Sequence, residues 1–274
     1  MKSLFDKHLK RLTMAVTQHL QIVLLGFLLL SCSKSSNSEH KLLPTYYQNL
    51  FDRLSLLNAA IESDQTTNSS ETTDQSCNKF YQPLVSKKTL DIQIFFGYKD
   101  TRPSLYVGDI FEKTAFINQL ISTCKPDIHV CGFIRSSEDS DLFVKNITGP
   151  DKQTIKVELK VFHSSVGAND QLNRLNPFQT WQSKYAESSF AEALRTADVV
   201  FYNGHSRAGG GPDFYPPKLQ KSGEVDSTYY KQKKPGLRLL EQHLSSTQEN
   251  PSLRILGLFS CISGNHFSNL ITKK

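Results

Sequence analysis

From residue 90 onward, short apolar runs alternate with segments whose apolar positions recur at helical spacing. Residues 90–97 (Leu-Asp-Ile-Gln-Ile-Phe-Phe-Gly) read as a strand. Residues 111–124 place Phe111, Ala115, Phe116, Leu120 and Ile121 on one helical face. Residues 128–134 predict a second strand, and residues 154–162 a third, with Ile155, Val157, Leu159 and Val161 at every second position. A helix is expected over 181–196, with Trp181, Tyr185, Phe190 and Leu194 inward, and another over 236–246. The runs 198–203 and 253–260 are short and largely apolar, as strands buried on both faces are. Strands alternating with helices predict the α/β class, with a mostly parallel sheet and flanking helices. No internal repeat is apparent.

Upstream the pattern changes. Residues 42–62 carry Leu50, Phe51, Leu54, Leu57 and Ile61 at a helical period and predict an amphipathic helix. Residues 63–76 are a low-complexity linker too polar to fold alone, so one α/β domain is expected over 77–274. The first 31 residues hold Lys2, Lys7, Lys10 and Arg11, then an apolar stretch from 22 to 30 that is too short to span a bilayer. That layout describes a secretory signal. Its ending, Leu29-Leu30-Ser31-Cys32, resembles a bacterial lipobox. The resemblance implies cleavage before Cys32, acylation of that cysteine and membrane attachment through a polar tether over 32–41. Ser33 does not match the acidic retention signal of many inner-membrane lipoproteins, so outer-membrane sorting is the expected fate in the cell envelope.

The formal charge of +6 shrinks once the leader is set aside, because its four basic residues and Asp6 contribute +3 of it. The remainder is weak support for nucleic-acid binding, and no such motif occurs. Lys231-Gln232-Lys233-Lys234 reads as a solvated loop. In an oxidising compartment, Cys124 and Cys131, which flank a turn at 125–127, read equally well as a local disulfide or as two buried thiols. No second Cys/His doublet accompanies them, so neither a zinc site nor any other metal or cofactor is expected. Cys77 lies in polar sequence with no evident partner.

The chemistry concentrates at two strand ends. Val199-Val200-Phe201-Tyr202-Asn203 runs into Gly204-His205-Ser206, and Ile255-Leu256-Gly257-Leu258-Phe259 runs into Ser260-Cys261. In open α/β sheets, reacting groups collect beyond the carboxyl ends of strands, so neighbouring strands would bring an imidazole to a thiol. Strand-Gly-His followed 56 residues later by strand-Ser-Cys resembles the caspase-like superfamily of cysteine peptidases that includes legumains, gingipains and separases. The likeness spans residues 197–267. It implies a three-layer sandwich and a peptide or protein substrate, with Cys261 as nucleophile and His205 protonating the leaving amine and later activating water. It also implies backbone donors near Gly204, Ser206, Ser260 and Cys261 for the oxyanion. A helix beginning after Cys261 would favour its thiolate. Where that family has glycine after the histidine, this chain has Ser206, which disfavours a positive φ. Only 13 residues follow Cys261, where caspase-like domains add further strands, so a truncated, inactive or partner-completed domain is a parallel expectation.

Rival readings use the same residues. Gly204-His205-Ser206-Arg207-Ala208-Gly209-Gly210 resembles the nucleophile elbow of α/β-hydrolases, with Ser206 as nucleophile. That elbow needs a helix directly afterwards, and Gly209-Gly210-Gly211-Pro212-Asp213 opposes one. Only His243 and His266 follow as partners, and His243 falls within the expected helix. The run Gly209, Gly210, Gly211 reads as a mobile loop shaping a cleft or as plain surface, with Asp213 meeting a basic side chain. His266 lines that cleft or lies on a helix surface. A non-catalytic envelope scaffold is the remaining alternative.

Overall fold

The computed structural model describes residues 81–99, 108–125, 130–149, 151–245, 252–260 and 266–267. The expected signal, tether, amphipathic helix and linker (1–76), Cys32, Cys77 and Cys261 lie outside the described residues. Six strands form one sheet: β1 (Thr89–Phe96), β2 (Ile134–Arg135), β3 (Leu142–Thr148), β4 (Thr154–His163), β5 (Val199–Asn203) and β6 (Ile255–Phe259). Their spatial order is β2-β3-β4-β1-β5-β6. The four strands β4, β1, β5 and β6 are parallel, and β2 and β3 add an antiparallel edge.

Helices cover both faces. On one side lies α1 (Asp109–Ile121), whose Ile117 and Leu120 pack with Ile94, Phe96, Leu159, Val161, Val199, Phe201 and Phe259. On the other lie α2 (Asp170–Leu175), α3 (Gln179–Thr196), α4 (Ser227–Lys233) and α5 (Pro235–Ser245). There Ala186, Phe190, Ala193 and Leu194 of α3 and Leu240 of α5 meet Phe95, Phe162, Val200 and Tyr202. This is an α/β three-layer sandwich. Val199 to Asn203 are all buried because β5 lies inside the sheet between two helical layers, where polar side chains would lose their hydration. β4 alternates instead: Ile155, Val157, Leu159 and Val161 face the core, while the opposite face carries Lys156, Glu158 and Lys160.

Several expectations are corrected. The strand foreseen over 128–134 is only Ile134–Arg135. Gly132 and Phe133 give their N–H groups to the carbonyls of Ser122 and Leu120 at the end of α1 (2.9 Å each), which takes those donors out of any ladder. β3 was not foreseen, because Lys145 and Asn146 interrupt its apolar run. Trp181 and Tyr185 point outward, 63% and 45% exposed. Small residues, Ser183, Ala186 and Ala193, set the buried stripe of α3 and let the helix sit close to the sheet. On α1, Ile121 is exposed while Asp109 and Glu112 are buried, so its inward face is rotated toward two carboxylates. Lys231 and Lys233 are exposed as expected but lie on α4 rather than in a loop.

Candidate functional site

β1 leads to α1 on one face and β5 leads to α5 on the other, so their carboxyl ends form the switch point of the sheet. Ligands bind at such crevices in open α/β sheets. The segments leaving these ends are held tightly. Gly97 N–H donates to Asn203 O (2.9 Å), Gly204 N–H to Phe259 O (3.0 Å) and Tyr98 N–H to Asp213 O (2.9 Å). The Tyr202 ring occupies the space between the first two turns. A Cβ on Gly97 would stand 2.4 Å from the Tyr202 hydroxyl, and one on Gly204 2.3 Å from it. Those glycines are present because a tyrosine fills their side-chain space. The hydroxyl donates to His205 O (2.7 Å) and accepts from Asp213 N–H (2.8 Å), pinning the turn that carries the histidine. Burial, reinforced by the Asp213 carboxylate, pushes the phenol pKa well up, so it stays protonated and donating.

The His205 imidazole is pushed down to about 3, first by burial and then by the positive charges of Arg207 and Lys99. It is therefore neutral at physiological pH and accepts a proton only when a partner charge stabilises the imidazolium. Ser206 has φ −115°, so a glycine is not needed at this position to relieve backbone strain. Its buried hydroxyl lies 2.5 Å from His266 Nδ1. The structure thus brings Ser206 to His266, and residues 266–267 are helical.

Arg207 donates to Asp213 Oδ2 (3.2 Å) and to Tyr98 O (3.3 Å), so Asp213 does meet a basic side chain. The glycine run departs from the mobile loop foreseen. Arg207–Gly209 forms a single 3₁₀ turn, with no α-helix after Ser206. Gly211 (φ +95°) then presses against the start of α5, where an added Cβ would stand 2.2 Å from Leu237 N. Gly210 O accepts from that same N–H (3.0 Å). Gly209 adopts φ +80° beside the His266 ring. The run is a packed backbone crossing that a side chain would block.

Beneath the edge sits a buried polar cluster that the sequence did not announce. Lys99 Nζ donates to both oxygens of Glu112 (2.6 and 2.7 Å), and Asn203 Nδ2 donates to Glu112 Oε2 (3.0 Å). Burial raises the Glu112 pKa, and the Lys99 charge opposes that rise. Asp109, raised by burial as well, accepts from the N–H groups of Ser164 (2.8 Å) and Ser165 (2.7 Å) and from the Ser165 hydroxyl. No local signal announced it: Lys99 stands three residues past the end of β1, one beyond the offset of His205 from β5. At the end of β6, Ser260 is 3% exposed, and its hydroxyl has no hydrogen-bond partner among the described residues.

At the far edge the structure joins Cys124 to Cys131. Among the described residues no group of three or more His, Cys, Asp and Glu side chains is placed to hold a metal ion, and no helix is long and apolar enough to cross a membrane. The fold and this edge define an α/β protein with a polar, largely buried cluster at the switch point of its sheet. No family model, curated protein or solved structure matches the chain.

Proposed function

We propose that this chain is a cysteine hydrolase of the caspase-like type, cutting peptide bonds through a thioester on Cys261. One observation carries the reading. The parallel β5–β6 register pairs Asn203 with Phe259 at the carboxyl edge, and His205 and Cys261 each follow two residues after that pair. Equal offsets on adjacent parallel strands are what a thiol–imidazole pair requires. The neutral His205 takes the thiol proton, and the sulfur attacks the scissile carbonyl carbon. The tetrahedral adduct collapses to a thioester as the amine leaves with that proton. Water, deprotonated by the same imidazole, then hydrolyses the thioester and restores the thiol. Backbone N–H groups around Ser206, Ser260 and Cys261 serve the oxyanion; the Gly204 N–H expected among them is already given to Phe259 O (3.0 Å).

The reading includes acylation at Cys32, which would hold the domain at the envelope. Incorporation of a palmitate analogue in cells, lost in Cys32→Ser, tests that part alone. For the chemistry, wild type, Cys261→Ala and His205→Ala are assayed against broad peptide libraries and labelled with iodoacetamide. Loss of at least about a thousandfold in kcat/KM in both variants is expected, equivalent to roughly 4 kcal/mol of transition-state stabilisation. Slower alkylation of Cys261 should accompany His205→Ala. An inert wild type with a sluggish Cys261 would instead support a binding scaffold.

A serine reading has its own observation, the 2.5 Å contact between Ser206 and His266. It ranks second because Ser206 is 4% exposed and no α-helix follows to aim it.

A further inference from the structure

One apolar stripe on the described chain is uncovered. Leu172 and Leu175 on α2, Phe178 at the turn, and Trp181 on α3 are 66%, 81%, 69% and 63% exposed, and Tyr185 continues the line. Trp181 and Tyr185 are stacked with ring centroids 5.5 Å apart, so this end of the stripe is preformed. Single exposed apolar side chains are ordinary, whereas five exposed within residues 172–185 form the kind of cluster that marks a contact surface. The stripe passes from α2 through Phe178 onto the first turns of α3.

One segment of the same chain has a matching pattern. Leu43, Tyr47, Leu50, Leu54, Leu57 and Ile61 recur at spacings of four and three, the seam of a helix that packs along another helix. Such a seam cannot bury itself.

The chain length also fits. Nineteen residues separate Ile61 from Tyr81, and they are mostly polar. A flexible chain of that length has an end-to-end distance of about 24 Å and an extended reach of about 60 Å. The described chain starts at the amino-terminal end of the sheet, where Gln153 Nε2 donates to Val85 O (2.6 Å) and Lys87 meets Asp198. α3 begins at the opposite end, where Gln182 donates to His163 O (2.7 Å). The distance to bridge is therefore about one strand, on the order of 33 Å for the ten residues of β4. A linker matched to its span turns docking into an intramolecular event at millimolar effective concentration.

We propose that residues 42–61 form an amphipathic helix that docks on the Leu172–Tyr185 stripe of the same chain. The contact does not depend on the chemistry at Cys261. The test places p-benzoylphenylalanine at Phe178 in the full chain, irradiates intact cells, and locates the adduct by mass spectrometry. The expected result is a cross-link at monomer mass to a peptide within residues 42–61. Leu54→Asp with Leu57→Asp should lower its yield at least tenfold. The same photoreactive residue at Glu138, exposed in the turn between β2 and β3 at the other edge of the sheet, should give none of it and controls for chance encounters. An adduct to phospholipid, to a second copy or to another protein overturns the proposal, and so does an unchanged yield in the Leu54/Leu57 variant or no cross-link at all.

Discussion

The two ends of β5 carry buried polar groups of very different kinds. At the amino end, Asp198 is nearly inaccessible, pairs with Lys87 and accepts the Asp91 N–H (3.0 Å). Its own carbonyl accepts from Arg254 N–H (2.8 Å) and Ile255 N–H (3.2 Å). This end is closed, and its polar atoms tie three strands together. At the carboxyl end, Glu112 and Lys99 are paired just as fully, yet the same edge carries a neutral, half-buried imidazole and a Ser260 hydroxyl unpartnered among the described residues. Leaving a buried hydroxyl unpaired is costly for folding alone, which points to a role outside folding for this edge.

The sharpest way to test that contrast is to cut one carboxylate at each end. Glu112→Ala strands the Lys99 ammonium, whose side chain is 7% exposed, without a counter-charge. About 3–5 kcal/mol of unfolding free energy should be lost, since breaking a buried pair leaves an uncompensated charge. Asp198→Ala should lose less, about 1–3 kcal/mol, mainly for the orphaned Asp91 N–H. Lys87 is 42% exposed and returns to water. Urea midpoints with unchanged slopes measure both. A larger loss for Asp198→Ala would reverse the assignment of the harder-to-repair cluster to the carboxyl edge.

Next in size is the response to acid. Burial, the leading cause in both cases, lowers His205 to about 3 and His163 to about 4; positive neighbours assist, Arg207 for the first and Lys113 for the second. Folded values below the ordinary 6.5 fix the sign. Above pH 6.5 both states hold neutral imidazoles, and stability is at its full value. As pH falls below 6.5, the unfolded chain takes up protons that the folded chain resists, and stability declines until the folded pKa is reached. Each histidine should contribute a slope of about 1 kcal/mol per pH unit between pH 6 and 4. His205→Gln should flatten the stability–pH curve by about one such slope. An unflattened curve would mean that water reaches the ring and that the carboxyl edge is no drier than the rest of the surface.

The same contrast separates what the sequence made legible from what it hid. β1, β4, β5 and β6 were readable because strands packed between helices need apolar side chains at most or alternate positions, as Val199 to Tyr202 show. The helices α1, α3 and α5 were readable as periodic stripes, although Trp181 and Tyr185 misled because bulk was taken as the mark of the inner face. β3 escaped because its outer neighbour β2 pairs only with Phe143 and Val144, which leaves Lys145 and Asn146 near solvent. At the site, His205, Ser206 and Asp213 were legible as polar residues just past an apolar run. The Lys99–Glu112–Asn203 cluster was not, since its members come from β1's exit, α1 and β5, and nothing local ties them together. The glycine run was visible, but its reason was not: the start of α5, more than twenty residues away, crosses it at van der Waals distance.

The smallest effect decides between the two nucleophiles. Ser206→Ala removes one hydroxyl–imidazole hydrogen bond, worth about 1 kcal/mol of stability. His266, only partly buried, can turn to water for a replacement partner. If sulfur does the chemistry, kcat/KM falls by no more than about tenfold, the size of a shifted His205 turn rather than a lost reacting atom. If Ser206 is the nucleophile, activity falls more than a thousandfold and Cys261→Ala leaves it intact. The burial of Ser206, 4% exposed, argues for the first outcome. An attacking oxygen must meet a carbonyl carbon at close to 3 Å in an open approach. The Ser206 hydroxyl is instead enclosed, with its outward path held by the His266 ring and the positive-φ turn at Gly209. Its geometry is that of a strut bracing residues 266–267 against the end of β5.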